Sequence, residues 1–133
     1  MNCSYGLELK MSKSNSGDEI CNETETDKFL QKNLPCWANE GPSICRSYKT
    51  SGWQSTLMVV NAVAFLAETG WHHPDLEVSY DLVTVRFTNH DAGGVTKKDL
   101  EMAVRVEQLL SWTPNEDLGS VLVNPPNNII INS

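Results

Sequence analysis

The stretch from Leu76 to Thr88 constrains this chain most, because its apolar residues change phase part-way along. Val78 and Tyr80 alternate in one phase, whereas Val83, Val85 and Phe87 alternate in the opposite one. Side chains along a strand point to opposite faces with a period of two, so one continuous strand cannot bury both sets together. A bulge or a tight turn near Ser79-Tyr80-Asp81 absorbs the change. The turn is the simpler solution, and it predicts a hairpin with one apolar face.

The neighbouring segments supply cover for that face. From about Trp53 to Thr69 the spacing is helical, with Leu57, Val60, Asn61, Ala64 and Glu68 along one stripe and Met58, Ala62 and Phe65 along another. A helix this apolar is expected to be covered on two sides, by a sheet and by another subunit or partner. Gly70 ends it. Upstream, Thr24 or Thr26 is placed to cap a short helix with Asp27 in its first turn and Phe29, Leu30 and Leu34 on its buried face, ending at Pro35. Trp37 opens a strand and Glu40-Gly41-Pro42-Ser43 reads as a turn. Ile44, Arg46 and Tyr48 then share one strand face, opposite Cys45 and Ser47. Downstream, Thr96 caps a last helix in a variant capping box with Asp99. Leu100, Ala103, Val104, Glu107 and Leu110 share one face of it, with Val106 and Leu109 beside them.

The expected order is helix–hairpin–helix–hairpin–helix, an α+β domain with a four-stranded antiparallel sheet and three helices packed on one face. It should occupy residues 23–112. Residues 1–22, rich in Ser, Asn, Glu and Lys, read as a disordered leader. Residues 113–133, broken by Pro114 and by Asn124-Pro125-Pro126-Asn127-Asn128, read as an irregular tail in which only Ile129-Ile130-Ile131 could dock.

With 133 residues the chain fits one small domain with a modest core, for which oligomerisation is a natural way to cover surface. A formal charge of −7, with Lys97-Lys98 as the only basic pair, argues against binding a nucleic-acid backbone. No run approaches the roughly 18 apolar residues that cross a bilayer. Cys3, Cys21, Cys36 and Cys45 form no CxxC pair, so zinc-ligand spacing is missing. With no secretory signal ahead of them, reduced thiols in an intracellular, cytoplasmic protein are expected.

All three histidines fall between residues 72 and 90. His72 and His73 follow a helix end and His90 ends a strand, positions from which rigid elements can aim side chains at a cleft. Imidazole titrates near neutral pH, which suits it to giving and taking protons. Pro74 stiffens the backbone behind the pair. A lone histidine there would simply complement the helix dipole. Zinc is the other rival, but Glu68-x-x-x-His72 is not the HExxH arrangement, and adjacent side chains seldom chelate one ion.

The run Ala67-Glu68-Thr69-Gly70-Trp71-His72-His73-Pro74-Asp75, then Tyr80, then Thr88-Asn89-His90-Asp91-Ala92-Gly93-Gly94-Val95-Thr96 with Asp99 following, resembles the signature of the pterin-4a-carbinolamine dehydratases. That pattern has an acidic residue four before His-His-Pro, a third histidine eighteen after the first, and a Gly-Leu-Thr-type helix start, and these spacings hold here. Weaker similarity extends over roughly residues 24–111, and the leader and tail have no counterpart in it.

The resemblance implies an enzyme, a hydro-lyase that removes water from 4a-hydroxytetrahydropterin to give quinonoid dihydropterin in tetrahydrobiopterin recycling. It implies no metal and no organic cofactor. His72, His73 and His90 match the catalytic histidines, with His72 and His73 as the principal acid–base pair and His90 orienting substrate. Glu68, Trp71, Pro74, Thr88, Asn89 and Asp91 match substrate-binding positions, and Glu68 is expected to orient His72. Trp71 is bulkier than the residue often found there, and Leu76 stands where an aromatic is frequent, so a differently shaped pocket is expected.

Some members serve instead as protein partners, as a dimerisation cofactor of a homeodomain transcription factor or as Rubisco assembly factors. The Rubisco-associated relatives tend to lose the histidines, so the three retained here favour catalysis over a scaffold role. The resemblance further implies a homodimer or homotetramer built through sheet edges and the long helix. It leaves room for a protein partner and implies no direct contact with nucleic acid or membrane.

Overall fold

The computed structural model describes residues 17–131, so residues 1–16 of the expected leader lie outside the described residues. Helix α1 spans Glu23–Asn33 and starts at Asn22, upstream of both expected caps. Asn22 accepts from the backbone N–H of Glu25 at 2.8 Å and donates to its carboxylate at 2.6 Å. Asparagine is the stronger cap, which explains why it prevails, and Thr26 is buried within the helix. Strands β1 (Ala38–Asn39) and β2 (Ile44–Lys49) flank the expected turn, where Gly41 takes a φ of 89° and Glu40 N–H donates to the Ser43 carbonyl at 2.8 Å.

Helix α2 (Trp53–Gly70) leads into β3 (Asp75–Ser79) and β4 (Leu82–Phe87), and α3 covers Lys97–Leu110. Tyr80 and Asp81 make the turn between β3 and β4, the simpler of the two expected solutions to the phase reversal. Across it Val78 pairs with Val83 and Leu76 with Val85, so both phases now point to one face. The sheet order is β1-β2-β4-β3 with every pair antiparallel. The helices cover one face, and the fold is the expected α+β arrangement.

The core packs Ile44 and Tyr48 of β2 and Val83, Val85 and Phe87 of β4 against Val59 and Val63 of α2 and Leu100, Ala103 and Val106 of α3. Each large aliphatic or aromatic side chain so buried contributes about 1.5–3 kcal/mol. On α2 the inward stripe is Thr56, Val59, Val63 and Ala67, which is neither expected stripe. Leu57, Met58 and Phe65 face outward instead, Phe65 with 69% of its surface exposed. The helix is apolar nearly all round, so periodicity alone cannot choose its buried side.

One charged cluster lies within the core. Glu107 of α3, 1% exposed, accepts on a single oxygen from Trp37 Nε1 at 3.0 Å, from Tyr48 Oη at 3.0 Å and from Arg46. The Arg46 guanidinium also sits 4.6 Å from the centre of the Tyr48 ring.

The chain after α3 carries a short 3₁₀ turn at Glu116–Leu118 and then returns to β2. Ser51 N–H donates to the Ile129 carbonyl and Ile131 N–H to the Lys49 carbonyl, so Ile130 bridges Thr50 and packs on the core. Cys21 and Cys45 are free thiols whose pKa values burial pushes up. Cys36 is disulfide-bonded, contrary to the expectation of four reduced thiols. No helix among the described residues is long and apolar enough to cross a membrane.

Candidate active site

The site begins where α2 stops. Trp71 takes the left-handed conformation (φ 51°, ψ 45°), and the Trp71 and His72 backbone N–H groups both donate to the Ala67 carbonyl. This step sends consecutive side chains apart: His72 is 14% exposed and His73 50%. The His72 ring lies parallel to Phe87, with centroids 6.1 Å apart and planes at 10°.

His72 Nε2 is 2.5 Å from Asp99 Oδ1. Asp99 is fully buried, and its other oxygen accepts from the Thr96 backbone N–H at 2.7 Å and hydroxyl at 3.1 Å. The capping box of α3 is therefore also a support for the histidine. Nε2 faces this carboxylate, so Nδ1 is the ring nitrogen the pair leaves over.

Glu68 serves His73 rather than His72, with Oε1 at 2.6 Å from His73 Nε2. The left-handed turn at Trp71 is the reason, because it carries His72 inward, toward Asp99. Trp71, 76% exposed, meets the His73 ring edge-on at 5.3 Å. His90 does not end a strand as expected but sits in the turn after β4, which stops at Phe87, and its Nε2 lies 3.4 Å from Asp75 Oδ2. Each histidine thus has its own carboxylate, supplied by α3, α2 and β3 respectively.

The loop after β4 uses its own polar groups. Thr88 Oγ1 donates to the Pro42 carbonyl at 2.5 Å. Asn89 N–H donates to the Gly94 carbonyl, Gly93 N–H to the Asn89 carbonyl, and Ala92 N–H to the Asn89 side chain. Gly93, at φ 82°, makes that tight closure possible. Asn89 Nδ2 reaches Asp18 Oδ1 at 3.4 Å. Asp91 is exposed beside His90, and Pro74 is half-buried behind His73. Tyr80 sits at the distant β3–β4 turn, its hydroxyl 3.3 Å from where a Cβ on Gly52 would stand.

Three contacts escaped the sequence reading: Asp99 on His72, Asp75 on His90 and Asp18 on Asn89. Asp99 was legible as a cap, but its second oxygen's direction depends on how α3 packs beside α2. Asp75 follows His73-Pro74 directly, and only the strand pairing reveals what it faces.

Residues 19–109 match the sequence profile of the family described as "Pterin 4 alpha carbinolamine dehydratase". A relative from Aquifex aeolicus, named "putative pterin-4-alpha-carbinolamine dehydratase", is 43% identical over 88 residues, covering 66% of this chain and 88% of its own. One of the same name from Koribacter versatilis is 40% identical over 90 residues, covering 65% and 96%. The solved structure of a Brucella melitensis protein described as a transcriptional coactivator/pterin dehydratase superposes with a TM-score of 0.62 at 27% identity, covering 68% of this chain and 98% of that one. By this match over most of its length, the chain belongs to the pterin-4-alpha-carbinolamine dehydratase family.

Proposed function

We propose that this protein catalyses the dehydration of 4a-hydroxytetrahydropterin to quinonoid dihydropterin and water. The observation that carries the reading is the set of three histidines, two hydrogen-bonded to carboxylates and the third facing one at 3.4 Å, within a chain of this family. In the reaction the C4a–oxygen bond breaks, the leaving hydroxyl takes a proton, and N5 loses one. One imidazolium donor and one neutral imidazole acceptor suffice for both transfers. His72 and His73 are the acid–base pair and His90 orients the pterin, with Glu68, Trp71, Pro74 and Asp91 around them. Thr88 and Asn89 contribute through the loop they hold. Such a lyase fits a recycling step after pterin-dependent hydroxylation. The test is whether purified protein dehydrates freshly generated 4a-hydroxytetrahydropterin faster than buffer does.

Asp99 is a positioning residue for His72. Asp99→Asn keeps the shape but replaces a pure acceptor by an amide, and kcat is expected to fall by about tenfold or more from misorientation. The lost cap interaction costs about 1 kcal/mol. Comparing kcat with the unfolding midpoint separates the two effects.

A second reading rests on the outward face of α2, where Trp53, Leu57, Met58 and Phe65 are exposed, and on the Brucella relative's description as a coactivator. That face suits a homodimer or homotetramer contact, or a protein partner. Leu57→Glu with Phe65→Glu is expected to lower the molar mass measured by light scattering while preserving the circular dichroism spectrum.

A further inference from the structure

The segment just before α1 lies against the part of the chain that supports two of the histidines. Ile20 bridges Thr96, and Cys21 N–H donates to the Val95 carbonyl at 2.8 Å. Ile20 also fills the space beside Gly94, where a Cβ would come within 3.3 Å of its side chain. Asp18 Oδ1 accepts from Lys98 Nζ at 2.8 Å and from Asn89 Nδ2 at 3.4 Å. Lys98, followed by Asn89, holds the Asp18 carboxyl below the usual carboxylate range, so the contact stays charged at neutral pH.

These contacts converge on residues 89–99. That stretch starts with the closed loop carrying His90 and ends with Asp99, which holds His72. His90 itself is 75% exposed and, among the described residues, meets only a long contact with Asp75, so its placement depends on the loop beneath it. Both polar ends of the Asn89 side chain are engaged, one within the loop and one with Asp18.

We infer that Asp18 is a positioning residue of the site: it braces Asn89 and Lys98 and thereby sets where His90 presents to substrate. This rests on the dehydratase reading for its catalytic consequence, while its mechanical part stands apart from it. Asp18 acts through the loop, and after Lys98 and Asn89 the His72 charge also contributes to lowering its carboxyl pKa.

The experiment compares wild type with Asp18→Ala and Asp18→Asn. In Asp18→Ala, hydrogen exchange at the Asn89, Gly93 and Gly94 amides should speed up while exchange in the β2–β4 ladder does not. kcat/KM for carbinolamine dehydration should fall roughly tenfold, since small displacements of an orienting group cost rates of that order. Asp18→Asn keeps an acceptor for Asn89 but loses the ion pair, and should recover much of the loss. Unchanged exchange in Asp18→Ala would overturn the brace. Faster exchange with unaltered kcat/KM, or a rate loss that merely follows the fraction of unfolded protein, would overturn the positioning role. If wild type itself fails to accelerate dehydration, the enzyme reading is what falls, and the exchange data still judge the brace.

Discussion

Replacing His72 and His73 together by alanine is expected to reduce carbinolamine dehydration to the buffer rate. Positioned proton transfer typically contributes about 10²–10⁴-fold, and the double variant removes both members of the proposed pair. The single variants should each lose most of that factor, because groups acting in one proton-transfer step are not additive. They should differ in stability. His73 is half exposed and tied to an exposed glutamate, so His73→Ala should unfold close to wild type. His72→Ala leaves the buried Asp99 carboxylate without its imidazole partner and removes a ring stacked on Phe87. A loss of about 1–3 kcal/mol is expected there, checked by chemical denaturation alongside the kinetics.

The largest stability effect should come from outside the site. Glu107→Ala removes the carboxylate paired with the Arg46 guanidinium, 6% exposed, and takes the acceptor from Trp37 and Tyr48. Breaking one side of a buried ion pair costs about 3–5 kcal/mol. Small domains are stable by about 5–15 kcal/mol, so the variant should be close to unfolding or beyond it. Glu107→Gln should be milder but still costly: its carbonyl keeps the acceptor for Trp37 and Tyr48, while the charge facing Arg46 is lost and an amide N–H is buried at the unpartnered Oε2 position. Replacing both Arg46 and Glu107 by methionine and leucine should also cost less than Glu107→Ala, since no uncompensated charge remains. Denaturation midpoints of the three variants give the order directly.

Much of the fold was legible from single residues. The phase switch between Tyr80 and Val83 required a bulge or a turn, and the structure makes the turn at Tyr80 and Asp81. Arg46 and Tyr48 share a face with Ile44, and Glu107 lies on the buried face of α3, both as alternation and helical spacing require. What those residues do together was hidden, since their meeting spans 61 positions in sequence. The α1 cap was misplaced because Asn22 competes successfully with Thr24 and Thr26. The inward side of α2 was misread because Leu57 and Phe65 are as apolar as Val59 and Val63. The docking of Ile130 beside Thr50 depends on a sheet edge that no local pattern announces.

At the site, the histidines announced themselves by type and spacing. Their carboxylates did not, apart from Glu68, and that one was assigned to the neighbouring ring. A left-handed residue at a helix end is usually glycine, so Trp71 in that role gave little warning that His72 and His73 would diverge.

The most direct measurement is the initial rate of 4a-hydroxytetrahydropterin dehydration against protein concentration, for wild type and for His72→Ala with His73→Ala. For wild type the rate should rise linearly above the buffer value, and for the double variant the line should be flat. A flat line for folded wild type, or an equal slope for the folded double variant, would overturn histidine-catalysed dehydration.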